Sequence, residues 1–331
     1  MDEQYDVVVV GGGAAGLSGA LALSRARRTV LVVDAGTPRN APAGHVHNYL
    51  TREGTPPGEL LAEGRAEVTD YGAVVVAGRV TAAARRDGGT FAVALDDGRT
   101  VRARRLLVTT GLTDELPDLP GLAGLWGTDV LHCPYCHGWE VRDQPVGILG
   151  TGPMAVHGAL LWRQWTADVV LFQHTSPDPS ADQLEQLAAR GIDVVRGPVA
   201  GLETAAGRLT GVRLTDGRVV PRAALVVAPR FTARTGVLAS LGLEAVDQEL
   251  QGFVVGSAVP ADPTGATSVP GVWVAGNVTA LQAQVISAAA GGLMAGAAIN
   301  ADLIAEDTRL AVATLRARPA TTSPANGPAR R

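Results

Sequence analysis

The 331-residue sequence holds two cysteines, Cys133 and Cys136, separated by Pro134 and Tyr135 and bracketed by His132 and His137. Thiols at this spacing can close onto each other as a disulfide, and a thiolate near a helix N-terminus is stabilised and becomes the better nucleophile and leaving group. Pro134 shapes the turn between them. Either histidine could take or give a proton as a thiol attacks or leaves, because imidazole titrates close to neutral pH. His137 is the first choice for this acid–base work and His132 the second. A zinc site would need two further soft ligands, which in the absence of other cysteines His132, His137, His45 and His47 could in principle contribute. No metal is expected, and the pair is read as redox-active.

The elements around the pair follow one template used twice. Val7 to Val10 read as a strand, Gly11-Gly12-Gly13-Ala14-Ala15-Gly16 as a turn opening a helix over Leu17 to Arg25, and Val30 to Val33 as a second strand ending at Asp34. A second copy starts at Val146-Gly147-Ile148-Leu149, continues through Gly150-Thr151-Gly152-Pro153-Met154-Ala155 and a helix to about Gln164, and reaches the strand Val169 to Phe172. The copies align without a gap from Gly11 with Gly150 to Asp34 with Gln173. Each is followed by a hairpin signal, Asp97-Gly98 and Asp216-Gly217, and then by an apolar strand. This is an internal duplication.

A dinucleotide pyrophosphate needs backbone N–H groups at a helix N-terminus and no side chain in the way. Gly11, Gly13, Ala14, Ala15 and Gly16 meet that need, and Asp34, with Ala35 beside it, stands where a carboxylate can accept from ribose hydroxyls. A bare G-x-G-x-x-G is weak evidence; its place between strand and helix makes it strong. Thr110-Gly111, after the strand Leu106-Leu107-Val108, would approach the adenine side of the same ligand. Gly276-Asn277, after Val272-Trp273-Val274, would lie near its middle, with the Asn277 amide donating to ribityl oxygens. The ligand implied is FAD.

The predicted fold is α/β, two Rossmann-like dinucleotide-binding domains with the second inserted into the first. Residues 1–115 and 245–305 form the FAD-binding domain, 116–244 the inserted domain carrying the cysteines, and 306–331 a flexible tail. A net charge of −4 recommends neither nucleic acid nor an anionic membrane as partner. All basic residues are Arg, which excludes a catalytic lysine. Met1-Asp2-Glu3-Gln4 lacks the features of a secretory signal, and the Ala/Gly-rich stretch 286–299 is too short to span a bilayer, so a cytoplasmic protein is expected.

Over about residues 1–305 these features resemble the low-molecular-weight thioredoxin reductase family. The resemblance implies a homodimer, a flavin stacked near Cys136, disulfide exchange with substrate at Cys133, and further FAD contacts at Arg39, Asn48, Val80, Gln284 and Val285. There are departures. The reductases carry a Cys-Ala-Thr-Cys-Asp-type site where this chain has His137, and usually Asp where it has Asn277. They also place a basic cluster for the 2′-phosphate of NADPH where this chain reads Gln173-His174-Thr175-Ser176-Pro177-Asp178. The repeat makes the same point without the family, because Gln173 occupies the position of Asp34 and is neither the carboxylate of an NAD site nor the arginine of an NADP site. NADPH binding is therefore expected to be weak or lost. The Cys-Pro-Tyr-Cys-His-Gly segment is more similar to the dithiol oxidases that form disulfides in natural products of the holomycin, gliotoxin and romidepsin type. That similarity implies a small-molecule dithiol as substrate and oxygen as acceptor, giving hydrogen peroxide. The alternatives are an NADPH-dependent disulfide reductase with a thioredoxin-like protein as partner, and a non-enzymatic redox sensor.

Overall fold

The computed structural model describes residues 3–317. The chain opens with β1 (Gln4–Val10), α1 (Ala14–Arg25), β2 (Val30–Asp34), α2 (Pro57–Asp70), β3 (Val74–Ala77), β4 (Val80–Arg85), β5 (Phe91–Leu95), β6 (Thr100–Val108) and β7 (Leu112–Glu115). It continues through α3 (Leu122–Leu125), β8 (Val130–Leu131), α4 (Pro134–His137), β9 (Val146–Leu149), α5 (Ala155–Trp162), β10 (Val169–Phe172), α6 (Ala181–Ala189) and β11 (Asp193–Val195). The hairpin strands β12 (Val199–Ala205), β13 (Arg208–Leu214) and β14 (Val219–Val220) lead into β15 (Ala224–Val226). The last part holds β16 (Arg230–Ala233), α7 (Gly236–Ala239), β17 (Val246–Leu250), β18 (Phe253–Ala258), β19 (Val272–Val274) and α8 (Val285–Ala317).

The duplication is visible in the sheets. The first has parallel strands in the order β3-β2-β1-β6 with β19 also on β6, and the second has the order β11-β10-β9-β15-β8. Their central strands are near-continuous Val and Leu because both faces are covered; Val7, Val8, Val9, Leu106 and Leu107 are fully buried. The two Asp-Gly turns match in detail. Leu95 N–H donates to the Arg99 carbonyl and Leu214 N–H to the Arg218 carbonyl, and Asp97 and Asp216 each accept from the arginine two residues on.

Two boundaries differ from the sequence expectation. Return to the first domain comes at Arg230 rather than at residue 245, because β16 pairs antiparallel with β7, Leu112 opposite Ala233. Val237, Leu238 and Leu243 then join the first core beside Val8, Phe91 and Val108. The closing helix does not end at 305. It runs to Ala317, and Arg104 donates to Glu306 at 2.8 Å and Asp307 at 2.5 Å while Arg28 donates to Asp307 at 2.7 Å. The rest of the expected tail, 318–331, lies outside the described residues.

By length and composition α8 could cross a membrane, longer than the 286–299 stretch suggested. One face of it is instead a close-packed surface of the first domain. A Cβ on Gly292 would come within 1.9 Å of the Ala15 carbonyl oxygen, and one on Gly296 within 2.8 Å of that of Gly19. These glycines let α8 lie against α1 and carry Gln284 and Val285, at its start, into the cleft between the domains.

Candidate redox site

Both domains line a single cavity of about 1470 Å³. That exceeds the roughly 300–1,000 Å³ usual for a small-molecule site. Its first-domain end carries the glycine turn, its middle the cysteine pair, and its far end Ile148, Met154, His157 and Leu161 of the second domain.

At the first-domain end, Gly11 has φ +107°, and a Cβ there would lie 2.6 Å from the Thr109 carbonyl oxygen. Helix α1 starts at Ala14 with no side-chain cap and no acidic residue in its first turn. Uncapped N–H groups at the positive end of a helix suit a pyrophosphate. Gly12, Gly13, Ala14 and Ala15 all face the cavity, and nothing stands within 4 Å of a Cβ on Gly13. Asp34 closes β2, accepts from Gly12 N–H at 3.2 Å and lines the cavity with Ala35. Val80, Thr110, Gly111, Gly276, Gln284 and Val285 line it as well. The residues present fit FAD.

Four sequence readings change here. Gly16 does not face the cavity; a Cβ on it would sit 1.9 Å from the Gly11 carbonyl oxygen, so it serves the close approach of helix to strand. Arg39 lines the cavity, but its guanidinium is committed in a fork to Asp114 at 2.8 and 2.6 Å and lies over the Phe231 ring. It ties the loop after β2 to both strands that connect the domains. Asn48 is not among the lining residues, and its amide donates to the Tyr135 carbonyl inside the cysteine turn. Asn277 faces the cavity but donates its amide to the carbonyls of Ala280, Leu281 and Ala283 at 3.0–3.2 Å. Its carbonyl oxygen is then the atom left for a ligand, so the residue can accept from a ribityl hydroxyl rather than donate to it.

The redox turn follows the buried strand β8. Cys133 caps α4 with extended backbone (φ −91°, ψ 118°), and Pro134 occupies the first turn, where its missing N–H costs nothing. The N–H groups of Cys136 and His137 both reach the Cys133 carbonyl at 3.2 Å. Gly138 must be glycine for space: a Cβ would lie 2.5 Å from the Pro134 carbonyl oxygen and 2.8 Å from Trp165. Trp165 in turn meets the Tyr135 ring edge-on at 5.4 Å.

Cys133 and Cys136 are free thiols in the structure, and their environments push them apart. The Cys136 S–H donates to Cys133 and, against the cost of burial, lowers the Cys133 pKa together with the Cys136 and Tyr135 backbone N–H groups and the Gln284 side chain. The Cys136 thiol is raised by that same hydrogen bond, by burial and by the neighbouring charge. Cys133 is therefore the thiolate of the pair. Burial holds both His132 and His137 below the ordinary histidine value. His132 makes a 3.0 Å hydrogen bond through Nδ1 to the Val227 carbonyl, which assigns the proton to that nitrogen and leaves Nε2 as an acceptor. Phe231 meets its ring edge-on at 5.1 Å. His137 lines the cavity within one turn of both thiols.

Trp126 and Tyr135 line the cavity, whereas Trp139 does not: it is exposed, with the Arg142 guanidinium 4.2 Å from its ring centre. Sequence reasoning missed Asp114, Phe231, Trp165 and Glu140, whose roles come from distant segments and leave no local pattern.

The second glycine turn is built differently from the first. Ala14 opens α1 three residues after Gly11, but Ala155 opens α5 five residues after Gly150. Pro153, at the position matching Ala14, has no N–H to offer a phosphate. The segment after β10 folds back over the turn, with Thr175 and Ser176 N–H both donating to the Gly150 carbonyl at 3.0 Å. Gln173 donates to Asp178 at 2.6 Å. Arg196, remote in sequence, reaches the same carboxylate at 3.1 Å.

The profile described as "Pyridine nucleotide-disulphide oxidoreductase" matches residues 5–295. The chain belongs to this family. It is thus a flavin-dependent thiol/disulfide oxidoreductase of thioredoxin reductase-like fold. Among this family's solved structures it is similar to HlmI, at 46% identity and a TM-score of 0.85 over 93% of this chain and 95% of that one. An oxidoreductase from Agrobacterium tumefaciens is 37% identical with a TM-score of 0.84, over 91% of this chain and 99% of that one. "Thioredoxin reductase tcpT" of Claviceps purpurea (strain 20.1) is 31% identical over 91% of this chain and 95% of its own length. The family implies FAD at the site whose fit is described above.

Proposed function

We propose that this protein is a dithiol oxidase: it forms a disulfide within a small-molecule dithiol and passes the electrons to oxygen, giving hydrogen peroxide. The observation that carries the reading is the second glycine turn. Where a reductase must hold a nicotinamide dinucleotide, this chain offers Pro153 without an N–H, a loop folded onto Gly150 and Gln173 turned to Asp178. The first turn keeps the features a dinucleotide needs, so the contrast lies within one molecule. The Cys-Pro-Tyr-Cys-His segment and the similarity to HlmI support the same direction.

Bound FAD would accept two electrons from the reduced cysteine pair and donate them to oxygen. The chain's own residues do the rest. A substrate thiolate attacks one sulfur of the Cys133–Cys136 disulfide, and the substrate's second thiol displaces the enzyme sulfur, leaving the substrate oxidised and the pair reduced. His137, held neutral by burial, takes a thiol proton during attack. The thiolate-stabilising environment of Cys133 makes it the sulfur that leaves and returns most readily.

Anaerobic mixing of the holoenzyme with dithiothreitol and, separately, with NADPH tests the reading. Bleaching of the flavin by the dithiol alone, with peroxide formed when air is admitted, is the expected result. Fast bleaching by NADPH would overturn it in favour of a disulfide reductase acting on a thioredoxin-like protein. That second reading has one feature on its side, the Arg196 guanidinium at Asp178, where a 2′-phosphate would need a cation.

A further inference from the structure

The loop from His45 to Thr55 has no part in the first dinucleotide turn, yet it is built with care. Val46 and Thr55 form a bridge that closes its base, with Val46 N–H to the Thr55 carbonyl at 2.8 Å. Asn48 (φ 59°) and Thr51 (φ 73°) both sit in the left-handed region that non-glycine residues avoid. Such conformations persist where surrounding bonds hold them. Asn48 N–H donates to Glu53 at 2.8 Å, and the Asn48 amide donates to the Tyr135 carbonyl within the cysteine turn. His47 bridges two carboxylates, with Nδ1 2.5 Å from Glu53 and Nε2 3.4 Å from Glu140. Glu140 is three residues beyond His137, and both His47 and His137 line the cavity.

We propose that His47 is a positioning residue for the acid–base group of the redox turn: by bridging Glu53 and Glu140 it holds in place the carboxylate three residues beyond His137. The proposal rests on His137 as the proton-handling group of the reaction described above. The charged and titratable groups that act on His137 are few. Glu140 stands on its own segment, His47 on the loop and His132 before the cysteines, and burial is the largest influence of all. Cys133 and Cys136 share the turn, Glu53 acts through His47, and His45 lies 6.1 Å from His47, ring to ring. Arg39 acts on Cys136 and His132 but is paired with Asp114. Against this background Glu140 favours the imidazolium of His137 and His47 opposes it.

The two influences have opposite signs, so removing each should move His137 in opposite directions. His47→Gln leaves Glu140 uncompensated, and the titration midpoint of His137 should rise. Glu140→Gln removes the carboxylate, and the midpoint should fall. A change of roughly half a pH unit either way is the size of a partly exposed charge pair. The measurement is histidine-ring NMR of the holoenzyme labelled at ring carbon, with the His137 signal assigned by its loss in His137→Gln. No dithiol is present, so failure here is distinct from failure of dithiothreitol to bleach the flavin. The acid limb of the rate of bleaching by dithiothreitol should follow the same two directions. An unmoved His137 signal in both variants, or movement in the same direction, would overturn the proposal.

Discussion

At the scale of single residues the site is a division of labour between two sulfurs and two imidazoles. The Cys133 thiolate is stabilised by the Cys136 S–H and by backbone N–H groups, so it exists at lower pH than a free thiol, whose pKa is about 8.5. Iodoacetamide should therefore label Cys133 of the reduced protein well below that pH and before Cys136, as mass spectrometry of timed samples would show. Cys136→Ser exposed to oxidised glutathione should form a mixed disulfide on Cys133 with release of one glutathione thiol, seen as an adduct in the intact mass; recovery of the adduct on Cys136 in Cys133→Ser alone would reverse the assignment. For His137 the sign is equally definite. Its pKa is lowered, so the neutral base persists below the ordinary value of about 6.5 and is lost only as pH falls through the lowered value. The dithiol half-reaction should hold its rate at pH 6.5 and drop in more acidic buffer. His137→Gln should slow it by about 10²–10⁴, the usual contribution of general acid–base catalysis.

At the scale of elements the site depends on three close approaches that only glycine allows. Gly16 lets α1 meet β1, Gly138 lets the redox turn rest on Trp165, and Gly292 lets α8 lie on α1. Gly292→Ala places a methyl where no space exists and should cost about 1–3 kcal/mol, the size of an overpacking penalty. Denaturant unfolding of the holoenzyme would read it. Since α8 also presents Gln284 to Cys133, the same variant should bind flavin less tightly, whereas a substitution on its exposed face at Leu315 should leave stability within about 0.5 kcal/mol. The duplication shows how an element changes its task. In the first copy the glycine turn opens directly into a helix, and in the second the helix starts two residues later, past Pro153 and Met154, so the same strand-turn-helix keeps its packing while Pro153 withholds an N–H from a phosphate.

At the scale of the whole molecule the inserted domain is joined to the first through the paired strands β7 and β16, with Arg39 clamping both by its fork on Asp114 and its place over Phe231. A cavity shared by two domains can be gated by their relative movement, and this clamp restrains such movement at the joint. Asp114→Asn removes the charge that holds the fork and should increase flavin dissociation without abolishing thiol labelling at Cys133, which a flavin-release assay would follow. The homodimer implied by the thioredoxin reductase resemblance is tested by sedimentation: a species of twice the 33.9 kDa chain mass is expected.

Much of this was legible in the amino-acid order, because the decisive signals are local. A glycine turn between strand and helix, a carboxylate at the end of the next strand, two cysteines three positions apart and a template repeated from Gly150 all lie within short windows, and local backbone chemistry is what such windows encode. The direction of reading also came from there, in the replacement of Asp34 by Gln173. What the order could not determine is where polar side chains spend their hydrogen bonds. Asn48, Arg39 and Asn277 each look like ligand contacts by type and position, and each has its side-chain donors committed elsewhere: to Tyr135, 87 residues away, to Asp114, 75 residues away, and to the carbonyls of its own turn. The His47 bridge and the return of the chain at Arg230 are of the same kind. A polar group takes the nearest partner that satisfies it, and which partner is nearest is decided only when distant segments pack together.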